Sequence, residues 1–284
     1  MDRLVCETKL YSLSTRGSSC NILNNDPNYK SRCEYSIPNM LTVDDDVEYI
    51  NFSIPYAVIP VSFYGINSYN NTLIVILADG TNTTYTFPNG NYTANYFMAT
   101  FLSLLGSNWG ISLNSTTNIF SVTNSVISFT FSINSTIEAV LGFNTTISST
   151  TVSAPFTLAM SRCCNFLPMP RITMRCQEIA SGSLVGYGMT SDVLVTIPNN
   201  SASNGQLYYQ NQTQEKTLYK GGSLDRFVVS ITDDDGNLIN FNGVSCFFAF
   251  QFDIYRKFIP KTARFNDIVS MVSRNNFSIE NPSL

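Results

Sequence analysis

The side chains that could carry chemistry in this chain include two acidic runs. Residues 233–237 read Asp-Asp-Asp-Gly-Asn and are acidic enough to suggest a calcium loop. An EF-hand loop, however, needs Gly at its sixth position and Glu at its twelfth, and neither is in register here. Because Asp-Gly pairs are typical of hairpin turns, the run predicts a turn. The acidic run at 44–46 is likewise interpreted as a solvated strand entry.

Catalytic and cofactor motifs are missing. The sequence contains no histidine, which excludes Ser-His-Asp triads, HExxH zinc sites and the His-bearing deaminase signature. Gly182, Gly186 and Gly188 lack the GxGxxG spacing and the βαβ context of a dinucleotide loop, so a flexible loop is predicted. We therefore expect no catalytic residue, no cofactor and no metal, and a protein that is not an enzyme.

The cysteines leave two interpretations open. There are seven, an odd number, and none forms a CxxC pair: Cys6, Cys20, Cys33, Cys163, Cys164, Cys176 and Cys246. The first interpretation is reduced, partly buried thiols in a cytosolic compartment. The second is late oxidation, in which Cys163–Cys164 or the N-terminal three cross-link subunits outside the cell.

The composition is low in charge and rich in aromatic residues. Charged residues make up 13% of the chain, against about 25% in average domains. Such a surface suits a protein whose flanks are covered by neighbours, although an Asn-rich coding bias would look the same. The net charge of −4 gives no global basic field for nucleic acid. Neither a secretory leader nor an apolar run of about 18 residues is visible, so no membrane span is expected.

The strongest structural signal is a strand at residues 245–255. Its even positions are all apolar: Cys246, Phe248, Phe250, Phe252 and Ile254. Because successive side chains in a strand point to opposite faces, this face is predicted to be core and the odd face to reach water. Residues 224–242 precede it and predict two strands that meet at Asp235-Gly236. Nothing in this sheet-on-sheet pattern suggests catalysis.

A second unit is predicted in residues 72–145, with the element order β-β-α-β-β-β-α and its own aromatic core. Its long helix would begin at an N-cap, Asn91 or Thr93, and stop at Gly106. The side chains of Phe97 and Phe101 on that helix are interpreted as core rather than as a ligand pocket.

The capping-box spacing of residues 135–138 predicts a second, shorter helix in the same unit.

The fold class predicted from these elements is mainly β, a single jelly-roll β-sandwich with an inserted small α+β domain. The early basic residues make the first stretch look like an arm, either solvated or in contact with neighbours or packaged nucleic acid. The predicted division is an N-terminal arm (1–43), a discontinuous jelly-roll domain (44–71 and 146–258), an inserted α+β domain (72–145) and a C-terminal tail (259–284).

The order of several short motifs resembles that in a family of viral proteins. The motifs lie at residues 49–67, 84–93, 110–120, 135–143 and 235–239. In this order they are similar to the minor capsid (penton) proteins of virophages and Polinton-like viruses, of the mavirus type. The resemblance covers residues 45–255.

This resemblance implies a structural protein of the virion, assembled in the host cytoplasm. Five copies would form a homopentamer that closes each fivefold vertex of an icosahedral capsid, against a double-jelly-roll major capsid protein. No specific nucleic acid, membrane span or cofactor is implied. The inserted domain is expected on the outer surface, where it is a candidate for binding a host receptor.

Two rival functions fit the same sequence. A host-attachment adhesin would also be β-rich, rich in Asn and Thr, and without catalytic residues, and its inserted unit would bind the receptor. A carbohydrate-binding module is the other alternative, with Tyr208 and Tyr209 as candidates for stacking on a sugar.

Overall fold

A computed structural model of the chain describes residues 4–166, 169–180, 183–185 and 189–257. The predicted C-terminal tail, residues 259–284, and the glycines Gly182, Gly186 and Gly188 lie outside these ranges. In the described part most regular structure is antiparallel strand, arranged in two larger and three smaller sheets.

The first large sheet has four strand positions. In spatial order they are β1 (Leu4–Ser14), β20 (Phe247–Lys257), the pair β4 (Val47–Ser53) and β5 (Tyr56–Pro60), and the pair β18 (Thr217–Tyr219) and β17 (Gln206–Gln210). β4 and β5 lie end to end beside β20, because Ser53 pairs with Gln251 and Val58 pairs with Phe247. Pro55 lies between them and has no N–H to donate, which explains the interruption.

The second large sheet is also antiparallel. Its strands, in spatial order, are β16 (Val193–Pro198), β13 (Arg171–Arg175), β19 (Leu224–Thr232), β3 (Arg32–Leu41) and the short β2 (Asn21–Ile22). Between β13 and β16 the chain forms a one-turn helix, α3 (Gln177–Ala180), and a small hairpin of β14 (Ser183–Val185) and β15 (Met189–Ser191).

Four long-range antiparallel pairs define the topology. β1 pairs with β20, β3 with β19, β4–β5 with β17–β18, and β13 with β16. The chain therefore folds back on itself as one long hairpin of strand pairs. The β1–β20 pair and the pair of β4–β5 with β17–β18 lie in the first large sheet, and the β3–β19 and β13–β16 pairs lie in the second. This arrangement is a jelly roll. The predicted fold class, a mainly β jelly-roll sandwich with an inserted α+β unit, is confirmed.

The first residues are part of the sandwich, which corrects the prediction of an N-terminal arm over residues 1–43. β1 pairs along its whole length with β20, from Leu4 opposite Lys257 to Ser14 opposite Phe247. Sequence periodicity missed this strand because the side that faces the other sheet carries Glu7 and Lys9, so no apolar alternation is visible.

The sandwich core lies between the two sheets. The even positions of β20 are buried as predicted, and Phe248 and Phe250 meet aromatic rings of the opposite sheet. The ring centroids of Tyr35 and Phe248 are 5.9 Å apart, and those of Phe227 and Phe250 are 5.5 Å apart. The strand predicted to return after the 233–237 turn is reduced to a bridge between Thr232 and Leu238.

A second hydrophobic core lies in the long connection between β5 and β13. Its elements are β6 (Thr72–Leu77), β7 (Asn82–Thr86), α1 (Ala94–Leu105), β8 (Trp109–Asn114), β9 (Ile119–Asn124), β10 (Phe129–Phe131), α2 (Glu138–Leu141), β11 (Ile147–Ser148) and β12 (Phe156–Ala159). Up to α2 this is the predicted order of elements. Pairing with the unit continues past residue 145, because β11 pairs with β10 and β12 with β9.

The two predicted helices of this unit differ in outcome. α1 is confirmed: the Thr93 hydroxyl accepts a hydrogen bond from the Tyr96 N–H at 3.3 Å, and the chain turns at Gly106 with φ of 94°. The predicted capping box of α2 is absent, because the Ser135 hydroxyl instead accepts a bond from the N–H of Ile74 at 2.9 Å. α2 is accordingly only four residues long.

The connections between sandwich strands gather at two ends. At one end, which we call the insertion end, the connections after β1, β5, β16 and β19 meet. There the N–H of Phe241 bonds to Tyr29 O at 3.1 Å, and that of Val61 to Gly205 O at 2.9 Å. At the other end, the terminal end, lie Leu4 and Lys257. The second core therefore joins the sandwich at the end remote from both described chain ends.

A charge placed in the sandwich core tests the strand assignment. Phe250→Asp should abolish cooperative unfolding of the sandwich, because Phe250 is fully buried and an unpaired buried charge costs several kcal/mol, comparable with the whole stability of about 5–15 kcal/mol. The second core should keep its local structure. Circular dichroism melts report on the sandwich, and the fluorescence of Trp109, the only tryptophan, reports on the second core.

Phe247→Asp is the matched control for this variant. Phe247 is the neighbouring aromatic on the same strand, but it points out of the sandwich. Its replacement should leave the melt of the isolated subunit nearly unchanged, so all the melts are recorded at a protein concentration low enough to keep the chain monomeric. A normal melt for Phe250→Asp would contradict the assignment of Phe250 to the core.

Candidate interaction surface

The outer face of the first sheet carries exposed apolar side chains. Strand alternation puts them there, because each lies next to a buried core residue. On β17, Leu207 is buried while Tyr208 is 73% exposed. On β20, Phe248 is buried while Phe247 is 50% exposed.

Strand register brings these side chains together across the sheet. Val58 is opposite Tyr208 on one side and opposite Phe247 on the other. Tyr56 follows the same face of β5 and is 39% exposed, and Leu10 on β1 is 55% exposed. We call these five side chains the aromatic patch.

The Tyr56 side chain crosses the sheet. Its hydroxyl lies 3.2 Å from the Ser12 hydroxyl in a hydrogen bond, although Ser12 is on β1 and β20 runs between the two strands. The side chain of Tyr56 therefore passes over β20 at Ala249, the residue opposite Ser12. This explains why Ala249 is fully buried although its odd position was predicted to reach water.

Toward the terminal end the same face becomes polar and centres on Asp253. This carboxylate is only 2% exposed, which also differs from the prediction for odd positions. It accepts hydrogen bonds from the Thr8 hydroxyl at 2.6 Å and the Gln251 amide at 3.1 Å, and it forms an ion pair with Lys216 Nζ at 2.7 Å. The loop between β17 and β18 thus reaches over the sheet and pairs a buried charge.

The surroundings of Asp253 act on its acidity in opposite directions. Burial on its own would raise its pKa, but the hydrogen bonds from Lys216, Thr8 and Gln251 outweigh burial, so the pKa lies below its ordinary value. The ionised form is therefore favoured in the folded protein.

An arginine closes the terminal end of the sheet on its other face, the one that carries Glu7 and looks toward the second sheet. Arg256 Nη1 lies 2.7 Å from Asp46 Oδ1 and 3.1 Å from Asp44 Oδ2, and its Nε lies 3.5 Å from Glu7 Oε2. The acidic run at 44–46 thus takes part in ion pairs at the entry of β4, close to its predicted role as a strand entry.

The other acidic run forms a turn, as predicted. Asp233 Oδ1 accepts hydrogen bonds from the N–H groups of Asp235 at 3.0 Å and Asn237 at 2.8 Å, and Gly236 adopts a φ of 85° that favours glycine. In the described residues no group of His, Cys, Asp or Glu side chains could hold a metal ion.

The seven cysteines are all free thiols. Cys33, Cys176 and Cys246 are buried, whereas Cys6 and Cys163 are exposed. The pKa of the Cys33 thiol is raised, mainly by a hydrogen bond with Cys20 and to a smaller extent by burial. Cross-linking of subunits through these thiols stays a prediction.

The sequence pattern alone does not predict most of the aromatic patch. Of the two tyrosines predicted to stack on a sugar, Tyr208 is exposed and lies in the patch, whereas Tyr209 is half-buried and packs against the sandwich core. Phe247 is an aromatic residue among the odd positions of β20, where polar residues are expected, and this exception is the sequence feature that indicates an exposed apolar side chain. The patch itself depends on the register between strands far apart in sequence.

No helix in the described ranges is long and apolar enough to cross a membrane. No protein-family model matches the chain, and no curated protein matches it in sequence. Among solved structures it is similar to the crystal structure of the selenomethionine-labelled mavirus penton protein. The TM-score is 0.45 and the identity 9%, over 89% of this chain and 99% of that one. A similarity of this size assigns no role to any residue.

The lowered pKa of Asp253 predicts a specific loss of stability in acid. A carboxyl whose pKa is lower in the folded than in the unfolded state stabilises the fold above its unfolded pKa of about 3.9, and this contribution is lost as the pH falls through the folded pKa. The free energy of unfolding should therefore drop more steeply below about pH 4 in the natural chain than in Asp253→Asn.

Urea melts between pH 3 and pH 7 measure this difference. Asp45→Asn is the control, because Asp45 is an exposed carboxylate at the same end of the sheet. It should leave the pH profile unchanged. Parallel profiles for the natural chain and Asp253→Asn would show that the carboxylate is not stabilised in the fold.

Proposed function

We propose that this chain is a structural subunit of a viral capsid, a penton protein that forms homopentamers at the fivefold vertices of an icosahedral shell. In the virion it would pack against a double-jelly-roll major capsid protein, after assembly in the host cytoplasm. The proposed role is one of assembly rather than catalysis.

The observation that carries this proposal is the aromatic patch on the flank of a jelly roll. Strand register puts Val58 next to Tyr208 and Phe247, and Tyr56 and Leu10 lie on the same outer face. Apart from the half-buried Val58, these side chains are exposed. Contiguous exposed apolar surface on a soluble protein marks a contact with another macromolecule. Aromatic side chains are enriched at the centre of such contacts. A second copy of this chain is the proposed occupant.

Two further features support a vertex protein. The order of motifs in residues 45–255 resembles that of virophage penton proteins, and the low share of charged residues, 13%, fits a chain with covered flanks. In a ring of five copies, each sheet flank would contact a neighbour, as closed symmetry requires.

The proposal includes an orientation and a division into domains. We take the unit around the second core as an inserted domain and the two large sheets as the jelly-roll domain. The insertion end would face outward, since a unit with its own core can project without disturbing the sandwich. The terminal end would face the particle interior. Cryo-electron microscopy of particles tests this, and an inserted domain inside the shell would refute the orientation.

Removing the patch should prevent ring formation. The Tyr208→Ser/Phe247→Ser double variant is expected to be monomeric in native mass spectrometry, whereas the natural chain is expected to be pentameric. Loss of one central aromatic side chain costs about 2 kcal/mol or more per interface, and each subunit of a ring has two interfaces. Both side chains are exposed, so the melting temperature of the monomer should change little.

Tyr96→Ser is the matched control, because Tyr96 is an exposed aromatic residue of α1, outside the sandwich sheets. It should leave the pentamer intact. A pentamer that survives the double variant would exclude the patch as the subunit contact, and a natural chain that is a trimer or a monomer would argue against the penton role.

A further inference from the structure

A cleft of about 680 Å³ opens at the insertion end, between the sandwich and the second core. One wall is the turn at residues 233–237, and the facing wall is the stretch 133–139 around the start of α2. Residues 65–70 and the segment at Met169 and Pro170 complete the lining. The volume falls within the range of about 300–1,000 Å³ that is typical of sites for small ligands.

The lining combines amide and carboxylate side chains. Four of its asparagines come from three separate segments: Asn67, Asn70, Asn134 and Asn237. The side-chain amides of Asn67, Asn70 and Asn237 each already donate one hydrogen bond within the protein. Asn134 is exposed, and among the described residues its side-chain amide has no hydrogen-bond partner. An asparagine amide offers both donors and an acceptor. The cleft can therefore both give and receive hydrogen bonds.

Glu138 contributes an acceptor that the fold leaves unused. Its side chain lines the cleft, and its Oε2 atom is buried without a hydrogen-bond partner. A buried acceptor without a donor is costly, and native structures rarely leave one unpaired. This oxygen is closed to solvent in the free chain, so a donor from a bound molecule would satisfy it after the Glu138 side chain rotates toward the cleft.

An exposed aromatic ring lies in the same lining. Tyr69 is 46% exposed and is held in a turn in which its N–H donates to Asn67 Oδ1 at 2.9 Å. Burial, and to a lesser extent its neighbours Tyr29 and Asp233, raise the pKa of its phenol. Part of the ring is open to solvent.

The acidic wall is fixed in place by its own contacts. Asp233 accepts bonds from the turn N–H groups and from Asn237 Nδ2 at 3.1 Å, and Asp234 pairs with Arg171 Nε at 3.0 Å. Asp235 is left exposed. Asp233 and Asp234 are thus already engaged, and the remaining carboxylates repel anions.

We propose that this cleft binds a neutral oligosaccharide. Sugar hydroxyl groups both donate and accept hydrogen bonds, which matches the mixture of amides and carboxylates, and the apolar face of a sugar ring packs on an aromatic ring such as Tyr69. Sialylated or sulfated sugars are excluded by charge. A basic peptide side chain would use the acceptors alone and leave the Asn134 amide donor without a partner. The site shares no residue with the aromatic patch and goes beyond the proposed role in assembly.

Saturation-transfer NMR with the purified chain tests the proposal. The probes are neutral tri- and tetrasaccharides of hexose and N-acetylhexosamine, the same sugars carrying sialic acid, and an oligolysine peptide. We expect binding of at least one neutral sugar and loss of that binding when sialic acid is added. Tyr69→Ala and Asn134→Ala should each weaken the affinity at least about tenfold, and Glu138→Gln by a smaller factor.

Tyr96→Ala is the matched control, because Tyr96 is an exposed tyrosine of α1 that does not line the cleft and is not part of the aromatic patch. It should leave sugar binding unchanged. Absence of binding to every neutral sugar, preference for the sialylated sugars or the peptide, or equal binding by Tyr69→Ala would overturn the proposal. The monomeric patch variant should still bind sugar, so failure of the pentamer and failure of this site are distinguishable.

Discussion

The pairing of β1 with β20 is the contact on which the sandwich depends. It joins residues such as Thr8 and Asp253, which are 245 positions apart, and it closes the hairpin that is rolled into the jelly roll. Closing so long a loop costs only slightly more entropy than closing a shorter one, but contacts of this kind form slowly. The second core lowers the entropy cost of the long connection between β5 and β13, because its strands pair with one another inside that connection. That connection becomes a folded unit instead of a long open loop.

A strand in the middle of a sheet that is covered on both faces reads as a continuous apolar run. The start of β20, Phe247 to Phe250, reads in this way, although in the single chain only one of its faces is covered by the opposite sheet. Tyr56 covers Ala249 from the outside, and Phe247 remains open. Further along β20, Asp253 needs Lys216 to neutralise its charge. The outer face therefore exposes apolar side chains near the insertion end, whereas polar and charged side chains cover it near the terminal end.

The parts of the fold that sequence periodicity predicted are those with one clean apolar face: β20, β19 and α1. It did not predict β1, because an edge strand with Glu7 and Lys9 on its inward side has no such face. The capping box of α2 failed because Ser135 was bonded instead to β6, a tertiary contact invisible in local sequence. The patch and the cleft are assembled from segments that are distant in sequence, so single residues such as Tyr208 were recognisable but their neighbours were not.

The cleft exists only where the second core meets the sandwich. Glu138 belongs to α2, whereas the turn at residues 233–237 follows β19. Hydrogen bonds from Asn242 Nδ2 to Ser62 O at 2.6 Å and from Gly65 N to Asn91 Oδ1 at 2.8 Å hold the connection that leads into the second core. A ligand that spans both walls would stabilise this arrangement by its binding free energy. The inserted unit would thus gain a function from its attachment to the jelly roll, while the sheet flank stays free for assembly.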